Sequence, residues 1–206
     1  MKPVINHSPT VIQEVRRQRI VDAAITCLAR DGWHGSTLAT VAAEANISRG
    51  LISYHFSGRD DLFEVVLETV VKVIFENGAA QMNEKIDQVE SATAKLEAYI
   101  KENLRFIGEH RREMAALNEI MPNLRTKNGT LRFGGDADEH AVAGTALLFD
   151  YGVKTGEFRK ANSQQLAFML RQCIDGAARK VTQDASFNHE AYAEQLLTLL
   201  LKGVAK

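Results

Sequence analysis

With 206 residues, 45% hydrophobic and 25% charged, the chain has a globular composition and enough length for a sizeable core in one domain or two. No run of about twenty apolar residues could span a membrane, no N-terminal stretch reads as a signal peptide, and Cys27 and Cys173 form neither a disulfide framework nor a metal pattern, so a cytoplasmic protein with reduced thiols is expected. The net charge of −1 argues against a nucleic-acid partner until it is divided: residues 1–60 carry seven basic against five acidic side chains, the remainder eighteen against twenty-one.

Only three prolines, among many Ala, Leu, Glu and Arg residues, favour an all-α chain. Residues 1–10, with Pro3 and Pro9, read as a mobile arm. A first helix is expected over 10–30, with Ile20, Ala23, Ala24, Cys27 and Leu28 as its apolar stripe and Gly32 as its stop. Arg16, Arg17 and Arg19 cluster near its start, either as a solvated face or as contacts to a DNA backbone.

The next stretch, 36–61, reads as helix, tight turn, helix. Thr37 caps a helix carrying Leu38, Val41, Ala42 and Ala45 at helical spacing. Asn46 stands where the backbone must turn, because asparagine tolerates the left-handed conformation. Ser48 caps a second helix that buries Leu51, Ile52 and Phe56 and leaves Arg49, Gly50, Ser53, Tyr54 and His55 on other sides, before Ser57-Gly58 ends it. This is the helix-turn-helix unit, whose second helix lies in the major groove, and its exposed side chains are hydrogen-bond donors suited to phosphates and base edges. An ordinary solvated helix pair would show the same periodicity.

A fourth helix over 60–77 opens with Asp60 and Asp61 at the positive end of its dipole and reaches onward from the DNA-binding unit. Further helices are expected over 84–110, 111–120 (halted by Pro122) and 138–154, with a loop at 123–136 that contains Asn128-Gly129 and Gly134-Gly135. Two leucine-rich helices, about 162–182 and 189–204, end the chain.

Enzyme motifs are missing: there is no GxSxG, Gly-rich phosphate loop or HExxH. Asp136, Asp138, Glu139 and His140 could attract a metal, but acids opening a helix after a glycine turn are commoner as dipole caps; His110 and Glu113 read the same way. No catalytic residue, metal site or cofactor is expected.

The N-terminal third resembles the DNA-binding domain of the tetracycline-repressor (TetR) family of bacterial transcription regulators. The resemblance rests on Arg30-Asp31-Gly32, Thr37, Val41 to Ala45, Asn46-Ile47, Ser48-Arg49-Gly50, Tyr54-His55-Phe56 and Arg59-Asp60-Asp61-Leu62. Within the family the flavour is nearest to choline-responsive betaine-pathway repressors. Asn46 replaces the usual glycine of the turn, and Ser53 replaces a common aromatic. The resemblance implies that Thr37 and His55 hold phosphates, that Arg49 and Gly50 approach base edges, that Tyr54 meets phosphate and sugar or a thymine methyl, and that Arg59 anchors a phosphate, with Ser48 and Ser53 in the same site.

It further implies a homodimer through the last two helices, where Gly176-Ala177-Ala178 permits close approach, and an effector cavity among the C-terminal helices. Candidate lining residues are Tyr99, Phe106, Met114, Met121, Phe133, Phe149, Phe168 and Met169, although a plain core needs the same spacing. A quaternary ammonium could be held there by aromatic faces with Asp150 or Asp175 nearby. The resulting expectation is an all-α, two-domain regulator, with 1–60 binding double-stranded operator DNA and 61–206 binding effector and dimerising, most simply as a ligand-released repressor. An effector-independent architectural DNA binder and a helical enzyme remain as alternatives.

Overall fold

A computed structural model describes residues 11–132 and 136–206, among which ten α-helices and one π-helical turn account for the regular structure. The expected arm (1–10), Phe133, Gly134-Gly135 and the side chains of Asp136 and Asp138 lie outside the described residues. Helix α1 (Val11–Gly35) buries Ile20, Val21, Ala24, Cys27 and Leu28. Its helical geometry breaks at Gly32, at φ 71 and ψ −177, a region essentially reserved to glycine. Helices α2 (Leu38–Glu44) and α3 (Arg49–His55) follow, then α4 (Arg59–Val71).

The next boundary differs from the expected one. Helix α4 does not stop at Asn77-Gly78 but runs through the π turn Lys72–Asn77 into α5 (Gly78–Asp87). Gly78 serves a close approach instead of a stop: a Cβ there would sit 3.0 Å from the Phe106 ring. The chain breaks later, where Ser91 accepts from the Ala94 N–H at 3.1 Å and starts α6 (Ala92–Glu109). The expected 84–110 helix therefore begins at Ala92, and residues 84–87 belong to α5. Glu157 adds a second cap from afar, its carboxylate accepting from the N–H groups of Ala92 (2.7 Å) and Thr93 (3.0 Å). Those backbone donors hold its pKa below the ordinary carboxylate value.

Helices α7 (Arg111–Ile120), α8 (Asp136–Thr155), α9 (Ser163–Gln183) and α10 (His189–Val204) complete the chain, α9 and α10 being capped by Asn162 and Asn188.

Two apolar cores result. The first joins α1, α2, Ile52 and Phe56 to Leu62, Phe63, Val66, Leu67 and Val70 of α4, so it extends past residue 60. The second gathers α6, α8, α9 and α10 around Leu96, Ile100, Leu104, Phe149 and Ile174. Helix α7 supplies both: Ala116, Leu117 and Ile120 enter the first core and Met114 the second. Its buried side chains make α7 a bridge between the two halves.

Candidate nucleic-acid interface

Helix α2 is set by a reciprocal cap. The Thr37 hydroxyl accepts from the Thr40 N–H at 3.1 Å, while the Thr40 hydroxyl accepts from the Thr37 N–H at 2.8 Å. Asn46 turns the chain at φ 51, as its side chain permits. The Ser48 hydroxyl then accepts from the Leu51 N–H at 3.2 Å and starts α3. Ile52 and Phe56 anchor α3 on the first core. What remains outward is Ser48, Arg49, Gly50, Ser53 and Tyr54, all exposed along two helical turns. A Cβ on Gly50 would meet only the Ser48 hydroxyl, at 3.9 Å, so its surface is open. The Ser53 hydroxyl donates back to the Arg49 carbonyl at 3.3 Å.

Tyr54 is 68% exposed, and its hydroxyl accepts from Gln13 Nε2 at 3.1 Å. The hydroxyl proton therefore stays available to an outside acceptor. His55 lies edge-on to Tyr54 at 5.1 Å and is half-buried; its Nε2 is enclosed without a hydrogen-bond partner. Only Nδ1 is left as the ring nitrogen for a phosphate.

Arg59 stands in surroundings the sequence did not suggest. Its Nε donates to the Ser36 carbonyl at 2.9 Å and its Nη2 to the Trp33 carbonyl. The guanidinium lies over two rings, Trp33 at 4.3 Å and Phe63 at 4.7 Å. Burial pulls its pKa down, opposed by Asp60. The side chain thus braces the corner between α1 and α2 from beneath. Arg30 is likewise engaged, pairing with Asp31 at 2.8 Å and Glu44 at 2.7 Å. Arg16, Arg17 and Arg19 are exposed on α1, and Arg17 leans over the Phe56 ring at 5.0 Å.

Sequence reasoning missed Gln13 and Glu119. Gln13 and Arg17, at i and i+4, share the α1 face turned to α3, and that spacing was the available signal. Glu119 accepts from the Trp33 N–H at 2.8 Å across 86 residues, and no local pattern announces such a contact.

The expected effector residues do not converge. Tyr99, Phe106, Met114 and Phe149 are buried, while Met121 packs on the first core. Phe168 and Met169 are 55% and 56% exposed and line an open groove of about 350 Å³ with Val142, Asn162, Gln164 and Gln165. Phe106 is clasped between Gly78 and the stacked His110 ring, 3.9 Å away. Asp150 is exposed and accepts from Ser163 Oγ at 2.5 Å, and Asp175 pairs with Arg171 at 3.0 Å.

A polar set does gather inside the C-terminal half. The Tyr99 and Thr145 hydroxyls meet at 2.7 Å, and Arg171 Nη1 donates to Tyr99 Oη at 3.3 Å and Asn103 Oδ1 at 3.4 Å. Among the described residues no cluster of three or more metal-ligating side chains occurs, and no helix is long and apolar enough to cross a membrane. Glu113 pairs with Arg112 at 2.8 Å, and His110 Nδ1 contacts the Phe106 carbonyl at 2.9 Å.

Residues 20–66 match the family of bacterial regulatory proteins, tetR family. Over 92 residues the chain is 33% identical to an HTH-type transcriptional regulator BetI of Paraburkholderia phymatum, which covers 45% of this chain and 45% of that protein. The chain therefore aligns with less than half the length of this curated relative. Two solved structures share the fold over nearly the whole chain. The ketosteroid transcriptional regulator KstR2 of Mycobacterium tuberculosis gives a TM-score of 0.74 at 16% identity, covering 99% of this chain and 100% of that one. A putative transcriptional regulator from Saccharomonospora viridis, in complex with choline, gives 0.74 at 23%, covering 94% and 100%. Residues 20–66 thus carry the sequence pattern of the tetR family of bacterial regulatory proteins, and the all-helical fold that continues from them is the one these two solved regulators share.

Proposed function

We propose that the protein is a ligand-responsive, DNA-binding transcriptional repressor that acts as a homodimer on a palindromic operator in the cytoplasm. The observation that carries this reading is the exposed face of α3. There Arg49, Gly50, Ser53 and Tyr54 project from a helix whose other side is fixed in the first core. Arg49 sits at the helix start, where its fork can reach guanine O6 and N7, a contact worth roughly 1–3 kcal/mol of discrimination. Thr37 and Tyr54 serve phosphate or sugar, and Gly50 lets the backbone come close. Arg59 acts in this reading as the brace of the domain. The exposed Arg16 and Arg19 supply the backbone charge expected of Arg59 from sequence.

The dimer surface falls on the outward sides of α9 and α10, where Phe168, Met169 and the 69% exposed Leu199 lie. The effector site falls between α6, α8 and α9, where Tyr99, Asn103, Thr145 and Arg171 form the polar set within an apolar surround. Choline, held by the Saccharomonospora structure, is the first compound to try. With Asp150 on the surface and Asp175 paired to Arg171, its cation would rest on ring faces such as Tyr99 and Phe149.

The test is binding to an operator selected from random duplex DNA and to its single-base variants across a salt series. Arg49→Ala should relax preference at one base pair per half-site. Arg16→Ala should weaken all sequences alike and lower the salt slope by about one for each phosphate it no longer neutralises. Recovery of no sequence by the wild-type protein, or unchanged base preference in Arg49→Ala, overturns the reading of α3.

A further inference from the structure

We infer that Glu119 on α7 is a positioning residue for DNA recognition: through the Trp33 N–H it holds the α1–α2 corner, and with it the helix-turn-helix, at a fixed place against the C-terminal half. This rests on the DNA-binding reading above. The corner is Gly32 to Ser36, the junction from which α2 and then α3 depart. It is gripped from two sides by residues distant in sequence. Glu119 Oε2 takes the Trp33 N–H at 2.8 Å, while Arg59 takes the carbonyls of Trp33 and Ser36. The Trp33 ring lies against the Arg59 guanidinium and packs 5.2 Å from Phe63.

Gly32 is part of the same fitting. At φ 71 its backbone admits only glycine comfortably, and a Cβ would stand 3.3 Å from the Glu119 carboxylate. The carboxylate thus occupies the space that a missing side chain leaves. Arg59 belongs to the same rigid unit as the corner, because α4 shares the first core with α1, α2 and α3. Glu119 stands on a helix that belongs to both cores: Ala116, Leu117 and Ile120 of α7 enter the first. Helix α7 also buries Met114 in the second core and joins α6 directly at His110. A second tie, Arg112 to Asp22 at 2.9 Å, is half-exposed and weak by comparison. A displacement of α6 therefore reaches the first core through α7, by the packing of Leu117 and Ile120, and reaches the α1–α2 corner itself through Glu119, a route additional to the continuous helix of α4 and α5.

In a dimer the two recognition helices must present themselves about 34–36 Å apart, one helical turn of DNA. Freeing the corner leaves each α3 able to read its half-site but no longer holds the two in register. The experiment uses the full-length protein and an operator selected by the wild type. Affinity is measured on that palindrome, on copies with one or two base pairs inserted or removed at its centre, and on a single half-site. In parallel, acrylamide quenching of Trp33, the chain's one tryptophan, reports the corner without DNA.

Glu119→Ala should bind the half-site as the wild type does, bind the palindrome roughly tenfold more weakly, and lose most of the spacing preference, while Trp33 becomes more accessible to quencher. Glu119→Gln keeps an oxygen acceptor without the charge and should fall between; it carries the test if the alanine variant does not fold. Retained spacing preference in a folded variant overturns the inference, and so does half-site binding that falls in step with the palindrome, which would make Glu119 a plain stabiliser of the DNA-binding domain. Should the wild type select no DNA, the DNA-binding reading fails by itself, and unchanged Trp33 quenching in the variants would separately remove the corner's dependence on Glu119.

Discussion

Replacing Arg59 with alanine removes two hydrogen bonds from a charged donor to the Ser36 and Trp33 carbonyls and two cation–π contacts, with Trp33 and Phe63. Hydrogen bonds from a charged group contribute about 1.5–3 kcal/mol each, the low end being apt for a half-buried side chain. Cation–π contacts at partly exposed sites add roughly 0.5–1 kcal/mol each. Part of this is returned because the guanidinium need no longer be desolvated, the effect that depresses its pKa. A net loss of about 3 kcal/mol results, a large share of the 5–15 kcal/mol typical of a folded domain. Urea unfolding followed by far-UV circular dichroism measures it, with Arg59→Lys as the companion. Lysine keeps the charge but not the fork that spans two carbonyls, so it should recover less than half of the loss. A variant as stable as the wild type to within about 0.5 kcal/mol, with weaker binding to every sequence and a salt slope lower by about two per dimer, would refute the brace and return Arg59 to a phosphate.

Three further expectations follow from the same geometry. Gly32→Ala should cost about 1–3 kcal/mol for its backbone conformation alone and should perturb Trp33 emission, since the added carbon meets the Glu119 carboxylate; thermal unfolding at the wild-type temperature would contradict it. Leu197 is 6% exposed whereas Leu199 is 69% exposed, so Leu197→Glu should impair folding, while Phe168→Glu with Leu199→Glu should keep the helical spectrum and sediment as a monomer; a surviving dimer moves the interface elsewhere. Asp184 is held down to about 2 by the Ser186 hydroxyl, Lys180 and the Ser186 N–H. Its contribution is therefore complete above the ordinary carboxylate value of about 4 and disappears as pH falls toward about 2. The stability gap between wild type and Asp184→Asn should accordingly close across that window, and a gap independent of pH would refute the assignment.

The local elements were legible because their causes are local. Thr37 and Ser48 each cap the helix they precede, and Asn46 turns where its own side chain allows a positive φ. The outward set of α3 follows from helical period once Ile52 and Phe56 are taken as the buried side. Three assignments needed tertiary structure. Arg59 reads as a free cation beside a helix start until Trp33, Ser36 and Phe63, up to 26 residues away, surround it. Gly78 reads as a helix stop until Phe106 is laid against it. Leu197, Leu199 and Leu200 belong to one leucine-rich run, yet only packing against α6 and α9 decides that Leu197 faces the core and Leu199 the outside. Periodicity fixes which side chains share a face of a helix. Which face meets another helix, and which charged group finds its partner there, depends on contacts between segments far apart in the chain, as when Glu119 reaches Trp33.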